Sequence, residues 1–347
     1  MNFEKRKGAP RREAAIDEMS LRFLMCNLIA IILILVTLAV YLTVFMLNIP
    51  KDAQNPNLNG SGDKEDYPFK KEGIAIELPS VDTAEYGIPD DLISSEKAIL
   101  VDITDKKIVA SRQGSQIIYP ASMTKVMTLI VVAENLKSEA SLDEVLTISH
   151  DRGENSGYGF EKGEKLTVRD LIYAAILQSD GVACLTLADY IAGSEASFVQ
   201  MMNDKAKEMG IGDTTVFQNC TGLHHKYHYS TCRDIAIIMA YAMENPFCSG
   251  VLTSIKYSPS DNFRPGDGCT FWNTLLHNRL SDGSTQPNKA EIIGGKTGLT
   301  EKDTSGYCIV TYAKGKDNHF YISVTSKAES WDANVNDILK IFNEYIK

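Results

Sequence analysis

The longest apolar stretch of the chain covers residues 23–47, where Asn27 is the single strongly polar residue and no charge occurs. As a helix with a rise of about 1.5 Å per residue, such a stretch crosses the roughly 30 Å of hydrocarbon in a bilayer. Six basic residues precede it, and only Lys51 and Lys64 follow within a similar distance. This bias predicts a cytoplasmic tail at 1–22, one membrane-spanning helix and an extracytoplasmic remainder, in a protein of the cell membrane.

Two other interpretations of this stretch are weaker. A cleaved secretory signal has a shorter apolar core and ends at a small-residue site, whereas this run ends in Leu-Asn-Ile-Pro-Lys. A buried core helix of this length would be apolar on every side, which is rare outside large proteins. The length of the run therefore favours an uncleaved anchor.

Beyond the anchor, the pattern of apolar positions changes twice. Residues 48–84 are rich in Pro, Asn, Gly, Asp and Lys, a composition typical of a linker. Residues 85–347 carry the periodicities of one globular domain, with strand–turn–strand patterns near both of its ends. Helical periodicity lies between these patterns and again at the end, over 123–136, 167–178, 182–193, 195–209, 231–244 and 331–345.

This order of elements predicts an α+β fold. Strands from both ends of the domain would form one antiparallel sheet with flanking helices, and the central helices would form an inserted all-α lobe. The composition agrees, since 44% hydrophobic and 23% charged residues are typical of a globular protein. A net charge of -10 argues against a nucleic-acid partner, because binding phosphates requires a basic surface.

The first candidate for chemistry is Pro-Ala-Ser-Met-Thr-Lys at residues 120–125. Ser122 and Lys125 are three positions apart, so on a helix the amine reaches the hydroxyl. A lysine kept neutral by its surroundings can deprotonate a serine, and backbone N–H groups at a helix start can stabilise an oxyanion. Taken alone, so short a motif more often marks a serine that merely caps its helix.

A second candidate is Gly-Gly-Lys-Thr-Gly-Leu-Thr at residues 294–300, directly before the closing strands. On a strand, Lys296 and Gly298 share one face while Thr297 lies on the other. The lysine offers a charge for a substrate carboxylate, and the glycine allows a substrate backbone to approach the strand edge. A phosphate-binding loop is excluded, because it requires a glycine where Ala290 stands.

The third candidate is Ser179, at a turn between two predicted helices, where a serine is by itself typical of a helix cap. The order Ser-x-x-Lys, then this serine, then Lys-Thr-Gly within one domain is more specific. It resembles the D-alanyl-D-alanine carboxypeptidases, low-molecular-mass penicillin-binding proteins that share a serine acyl-transferase fold with β-lactamases and transpeptidases. The resemblance extends to residues 160–173 and 221–236, and it covers about residues 85–330.

The resemblance implies an activity and a role for each residue. Ser122 would be the acylated nucleophile and Lys125 its general base, while Ser179 would relay a proton to the leaving amine. Substrate would be bound by Lys296, Thr297, Gly298 and Leu299. The oxyanion hole would consist of the N–H groups of Ser122 and Leu299. The implied substrate is a peptidoglycan stem peptide ending in D-Ala-D-Ala, β-lactams would acylate the same serine, and no cofactor is implied.

One position departs from the family pattern. The central motif is normally Ser-x-Asn, and Gly181 stands where the asparagine is expected. Two alternatives therefore stay open: a β-lactamase-like hydrolase, and a degenerate penicillin-binding or wall-binding module with weak or no turnover. Turnover of penicillin would indicate the β-lactamase-like hydrolase. Acylation without release of D-Ala would indicate the degenerate binding module.

Histidines and cysteines are the natural candidates for a metal site, but neither set favours one. His224, His225 and His228 lack the carboxylate and spacing of zinc sites, and the resembled family uses no metal. Six cysteines lie beyond the anchor without C-x-x-C spacing. Their even number permits disulfides, whose pairing the sequence does not define.

Overall fold

The computed structural model describes residues 76–79, 85–151, 157–260, 263–264, 269–281, 284–301, 304 and 306–347. The expected tail, anchor and nearly all of the linker lie outside these residues. Within the described part, no single helix is long and apolar enough to cross a membrane. The described residues belong to one unit that extends from Glu65 to Lys347.

The secondary structure follows the predicted periodicities closely. The described helices are α1 Lys125–Asn135, α2 Val168–Leu177, α3 Gly181–Ala192, α4 Glu195–Glu208, α5 Cys232–Glu244, α6 Pro246–Thr253 and α7 Trp331–Tyr345. The described strands are β1 Tyr86–Gly87, β2 Lys97–Asp102, β3 Lys107–Arg112, β4 Ile117–Ile118, β5 Val145–Thr147, β6 Lys165–Thr167, β7 Ser230–Thr231, β8 Lys256–Tyr257, β9 Phe271–Trp272, β10 Ala290–Leu299, β11 Tyr307–Gly315 and β12 Phe320–Ala328. Helix α6 is absent from the prediction, although Asn245 caps it and Pro246 takes its first position.

The central sheet has the strand order β1-β3-β2-β12-β11-β10, so both ends of the domain contribute to it as predicted. Its pairs are antiparallel except at one edge, where the two-residue β1 lies parallel to β3. The inserted lobe is not entirely helical, since β5 and β6 form a small antiparallel pair within it. These two details correct an α+β prediction that is otherwise confirmed.

Side chains alternate between the two faces of the sheet and separate two apolar cores. On β2, Ile99 and Val101 face the core shared with the central helices, and Leu100 faces the core shared with α7. Helix α1 lies within the first core, where nine of its eleven residues are buried. This position surrounds the first residue of α1, Lys125, with apolar groups.

Most of the long helices begin at a side chain that accepts a backbone N–H. The capping residues are Thr167 for α2, Asp180 for α3, Ser194 for α4, Thr231 for α5 and Ser330 for α7. Helix α1 is the exception, because Thr124 at its N-cap makes no such bond. A 3-10 turn at Ala121–Thr124 leads into it instead. The start of α1 is therefore joined to this turn by backbone hydrogen bonds and not by a side-chain cap.

Candidate active site

Ser122 lies in the 3-10 turn that precedes α1. Its hydroxyl oxygen is 3.0 Å from the side-chain nitrogen of Lys125. The N-cap of α1 is Thr124, and no side chain caps that helix. The helix-cap interpretation of Ser122 is therefore wrong, and its hydroxyl is directed at the amine. The preceding Ala121 has a φ of 48°, which gives the turn a sharp bend before the serine.

Lys125 is almost completely buried and has no carboxylate partner among the described residues. Its Nζ donates to the backbone carbonyl of Thr221 at 2.5 Å, and its side chain is 3% exposed. Burial lowers the pKa of Lys125, and the nearby groups Cys184, Cys220 and Asp180 oppose this effect only in part. A lysine in this state loses its proton more readily than one in water, as a general base must.

Ser179 occupies the turn between α2 and α3 with a φ of 58°. Its hydroxyl accepts a hydrogen bond from Lys296 Nζ at 2.9 Å. Asp180, and not Ser179, caps α3. The serine therefore faces the lysine of β10, and the helix-cap interpretation is wrong here too.

Lys296 and Thr297 are both buried on β10. Lys296 Nζ also donates to the carbonyl of Thr297 at 2.9 Å, and Thr297 Oγ1 lies 2.9 Å from the hydroxyl of Thr274. Burial, followed by the charge of Lys125, lowers the pKa of Lys296 well below its usual value. The two lysines thus share one buried region whose polar partners are hydroxyls and carbonyls.

Gly298 brings β10 against the turn that carries Ser122. A Cβ at this position would lie 2.6 Å from Cys308 Sγ and 3.2 Å from the side chain of Ala121. The glycine is therefore required for the packing of the chain itself, which is a different reason from the predicted approach of a substrate. Leu299 follows at the end of the strand with its side chain half exposed.

A cavity of about 180 Å³ connects these elements. Its lining residues are Ser122, Lys125, Gly157, Gln178, Ser179, Gly181, Thr221, Gly222, Leu223, Leu299 and Thr300. Four of the predicted site residues therefore line one cavity, and Lys296 reaches it through Ser179. Thr297 and Gly298 are not among its lining residues. The arrangement places two serine hydroxyls and a buried lysine amine around one space.

Residues 84–330 match the profile of the D-alanyl-D-alanine carboxypeptidase family. The chain belongs to this family. Its predicted membership is confirmed, and the match covers nearly all of the described residues. The carboxypeptidase DacF of Bacillus subtilis is 32% identical over 258 residues, which make up 72% of this chain and 63% of that protein. DacC of Escherichia coli is 34% identical over 46% of this chain and 42% of that protein. The match thus spans less than two thirds of the length of these relatives.

Solved structures of related proteins have the same fold. Penicillin-binding protein 5 from Haemophilus influenzae superposes with a TM-score of 0.63 at 26% identity, over 74% of this chain and 71% of that chain. A variant of a Streptomyces DD-transpeptidase gives a TM-score of 0.61 at 25% identity, over 72% and 97% of the two chains. The carboxypeptidase family and its transpeptidase-like fold are therefore established for residues 84–330.

Two glycines of this carboxypeptidase-family site are absent from the sequence-based prediction. Gly222 has a φ of 85°, and a Cβ on it would collide with the backbone of Ala121. Gly157 presses against the backbone of the turn at 178–180 in the same way. Their identity depends on close contacts between distant backbones, which no local pattern reveals. Only comparison with related sequences would have pointed to them.

His228 supports the start of α1 and has no nitrogen left for a metal. One ring nitrogen is 2.9 Å from the hydroxyl of Thr124, and the other accepts the N–H of Gln218 at 3.3 Å. Burial is the main cause that lowers the pKa of His228 to about 4, so the ring is neutral at physiological pH.

Ligand-type side chains lie close together at one other place in the described residues. There Asp102, Asp105 and His319 converge, and His319 already pairs with Asp102 at 2.8 Å. Within the described residues, the six cysteines of the domain form no disulfide bond with one another.

Proposed function

We propose that this chain is a membrane-anchored serine carboxypeptidase that removes the terminal D-Ala from peptidoglycan stem peptides ending in D-Ala-D-Ala. The observation that carries the proposal is a pair of contacts at one cavity. Ser122 contacts the buried Lys125, which has no carboxylate partner among the described residues, and Ser179 contacts Lys296. Membership of the carboxypeptidase family supports the same reaction.

Acylation follows from this geometry. The neutral amine of Lys125 takes the proton of Ser122 as the serine oxygen bonds to the carbonyl carbon of the penultimate D-Ala. The backbone N–H groups of Ser122 and Leu299 hold the oxyanion that forms. The proton then passes through the Ser179 hydroxyl to the leaving nitrogen, the C–N bond breaks, and D-Ala departs. Its carboxylate is held beforehand by the Lys296–Thr297 region.

Deacylation reverses the proton path. Lys125 accepts a proton from water as the water oxygen attacks the ester carbon, and the bond to Ser122 then breaks. The proton returns to the serine oxygen, and the shortened peptide leaves as a free acid. A β-lactam presents a carbonyl in a strained ring to the same oxygen, so penicillin would form an ester at Ser122.

The test is incubation of the purified protein with a peptide ending in D-Ala-D-Ala while free D-Ala is measured. We expect D-Ala release and a penicillin adduct on Ser122 by peptide mapping, both lost in Ser122→Ala. An adduct on any other residue would contradict the assignment of the nucleophile. Acylation without D-Ala release would show a degenerate binding module, and rapid turnover of penicillin would show a β-lactamase.

The membrane anchor is a separate part of the proposal, supported by the uncharged apolar run at 23–47. In this arrangement the N-terminus is cytoplasmic and the catalytic domain lies outside the cell membrane. N-terminal sequencing of the membrane-bound protein should find a start at or near Met1. A mature start between Asn48 and Glu85 would show a removed signal instead.

A further inference from the structure

Asp180 joins two distant segments at the wall of the cavity. One of its carboxylate oxygens accepts the N–H of Ala183 at 2.8 Å and so caps α3. The other accepts the N–H of Tyr158 at 2.9 Å and that of Gly159 at 3.5 Å. The residue is fully buried, so these backbone groups take the place of water around the carboxylate.

The segment that Asp180 holds is part of the cavity wall. Gly157 lines the cavity, and a Cβ on it would lie 2.9 Å from the backbone nitrogen of Asp180 and nearer still to the carbonyl of Gln178. Residues 157–159 therefore lie directly against the turn that carries Ser179. Loss of the bond to Tyr158 would release the wall from the turn.

Ser179 depends on such support, because it is a non-glycine residue with left-handed backbone geometry. Its hydroxyl meets Lys296 from this conformation. Asp180 fixes the next residue from two sides, through the cap of α3 and through the bond to Tyr158. These bonds restrict the turn from relaxing to a less strained geometry, and so they keep the hydroxyl in place.

Capping alone does not account for these contacts, as Asp170 demonstrates. Asp170 is also fully buried and completes the capping box of α2. Its remaining bonds connect to Tyr257 and Ser260, and neither lines the cavity. Both aspartates are buried and cap a helix. They differ in their other hydrogen bonds, because Asp180 binds the cavity wall at 158–159 and Asp170 binds Tyr257 and Ser260.

We propose that Asp180 is a positioning residue of the active site, which holds Ser179 and the 157–159 segment in place. The inference rests on the proposed carboxypeptidase function. It gives a role to the acid in the middle of the central motif, next to the position where Gly181 offers no side chain.

The experiment compares Asp180→Ser and Asp180→Asn with the matched control Asp170→Asn. Serine retains an oxygen that caps α3, but it is too short to reach Tyr158 and carries no charge. We expect penicillin acylation and the kcat for D-Ala release to fall about 10- to 100-fold in both Asp180 variants, with a smaller change in KM. Asp170→Asn should lower the melting temperature and leave kcat within about twofold, since its carboxylate touches no reacting group.

Each outcome decides one question. Wild-type values of kcat and KM in Asp180→Ser would overturn the proposal and leave Asp180 with the role of a helix cap alone. Failure of Asp180→Ser to fold would also overturn it, because the proposal assigns stability to the cap that serine retains. A wild-type protein that neither binds penicillin at Ser122 nor releases D-Ala would instead refute the proposed function.

Discussion

A largely buried lysine lies at each end of helix α1, and the two lysines have different kinds of hydrogen-bond partner. At the N-terminal end, Lys125 meets a hydroxyl and a backbone carbonyl. At the C-terminal end, Glu134 receives Lys205 of α4 at 2.7 Å and the hydroxyl of Tyr241 at 2.5 Å. Lys205 has Glu208 as a second acid partner at 2.8 Å. Among the described residues, Lys125 at one end of the helix has no ion-pair partner, whereas Lys205 at the other end has two.

The protonation of the two lysines differs accordingly. Burial lowers the pKa of Lys125. Burial acts in the same direction on Lys205, but the hydrogen bonds that it donates to Glu134 and Glu208 outweigh burial and raise its pKa above the usual value. Burial thus lowers the pKa of a lysine that has no ion-pair partner, and carboxylate partners reverse this effect. An acid partner turns the same side chain into a structural contact.

The largest expected effect is that of removing the base. Lys125→Met should slow penicillin acylation of Ser122 about a thousandfold, because general-base catalysis is lost. The fold should persist, since methionine fills a similar volume and brings no charge into the core. Intact-mass time courses and thermal unfolding measure the two effects.

The matched control for this change is Lys205→Met at the other end of α1. It should lower stability and leave the acylation rate of the folded protein unchanged, because Lys205 is remote from the cavity lining. A Lys125→Met protein that is acylated at the wild-type rate would remove the distinction between the two lysines.

His228 extends the comparison, because it is a second buried base at the N-terminal end of α1. Its pKa of about 4 lies below the usual 6.5, so the unfolded chain binds more protons between these values. Its contribution to stability should be complete above about pH 6.5 and disappear as the pH falls to about 4, with an upper limit of about 3 kcal/mol. The free energy of unfolding, measured with urea, should depend less on pH over this range in His228→Gln than in the wild type. An equal pH dependence in the two proteins would contradict the lowered pKa of His228.

At the opposite end of α1, Glu134→Gln should lower the free energy of unfolding by about 2 kcal/mol, because Lys205 then loses one of its two acid partners in a largely buried place. Glu208→Gln is the control, with an effect below about 1 kcal/mol, since the Glu208 side chain is 60% exposed. Chemical denaturation measures both. D-Ala release at a temperature where all variants are folded should stay unchanged, and a loss of rate would show that the network reaches the site.

The smallest expected effect concerns Gly181. This residue begins α3 and is not among the glycines with positive φ, so an asparagine fits its backbone. Restoring the amide of the family motif should raise the rate of D-Ala release about tenfold, which corresponds to about 1.4 kcal/mol in the transition state. Gly193→Asn at the far end of α3 serves as a control for the added side chain. A folded Gly181→Asn protein that is no faster would show that the missing amide does not limit the site.

The sequence predicts those parts of the molecule whose side chains repeat with a period. Helix α7 matches its predicted bounds, because its apolar residues recur with the helical period. Ser122, Lys125 and Ser179 are brought together as the ordered motifs indicate. Periodicity does not predict contacts made by backbone atoms, such as the hydrogen bond that the carbonyl of Thr221 accepts from Lys125. It also does not predict glycines that let two backbone segments come close together, as Gly222 does beside Ala121. The 3-10 form of the turn at Ser122, which packs against Gly298 of β10, is also absent from the prediction.

Pairing of β2 with β12 joins residues more than 200 positions apart. During synthesis from the N-terminus, β2 and β3 can form a hairpin early, but the inner edge of β2 stays open until nearly the last residues are available. Helix α1 meanwhile has no completed sheet to pack against, and its apolar surface is exposed. An unpaired strand edge of this kind promotes association between chains. The long delay between the first and last strands therefore makes newly made chains dependent on protection from aggregation until β12 is in place.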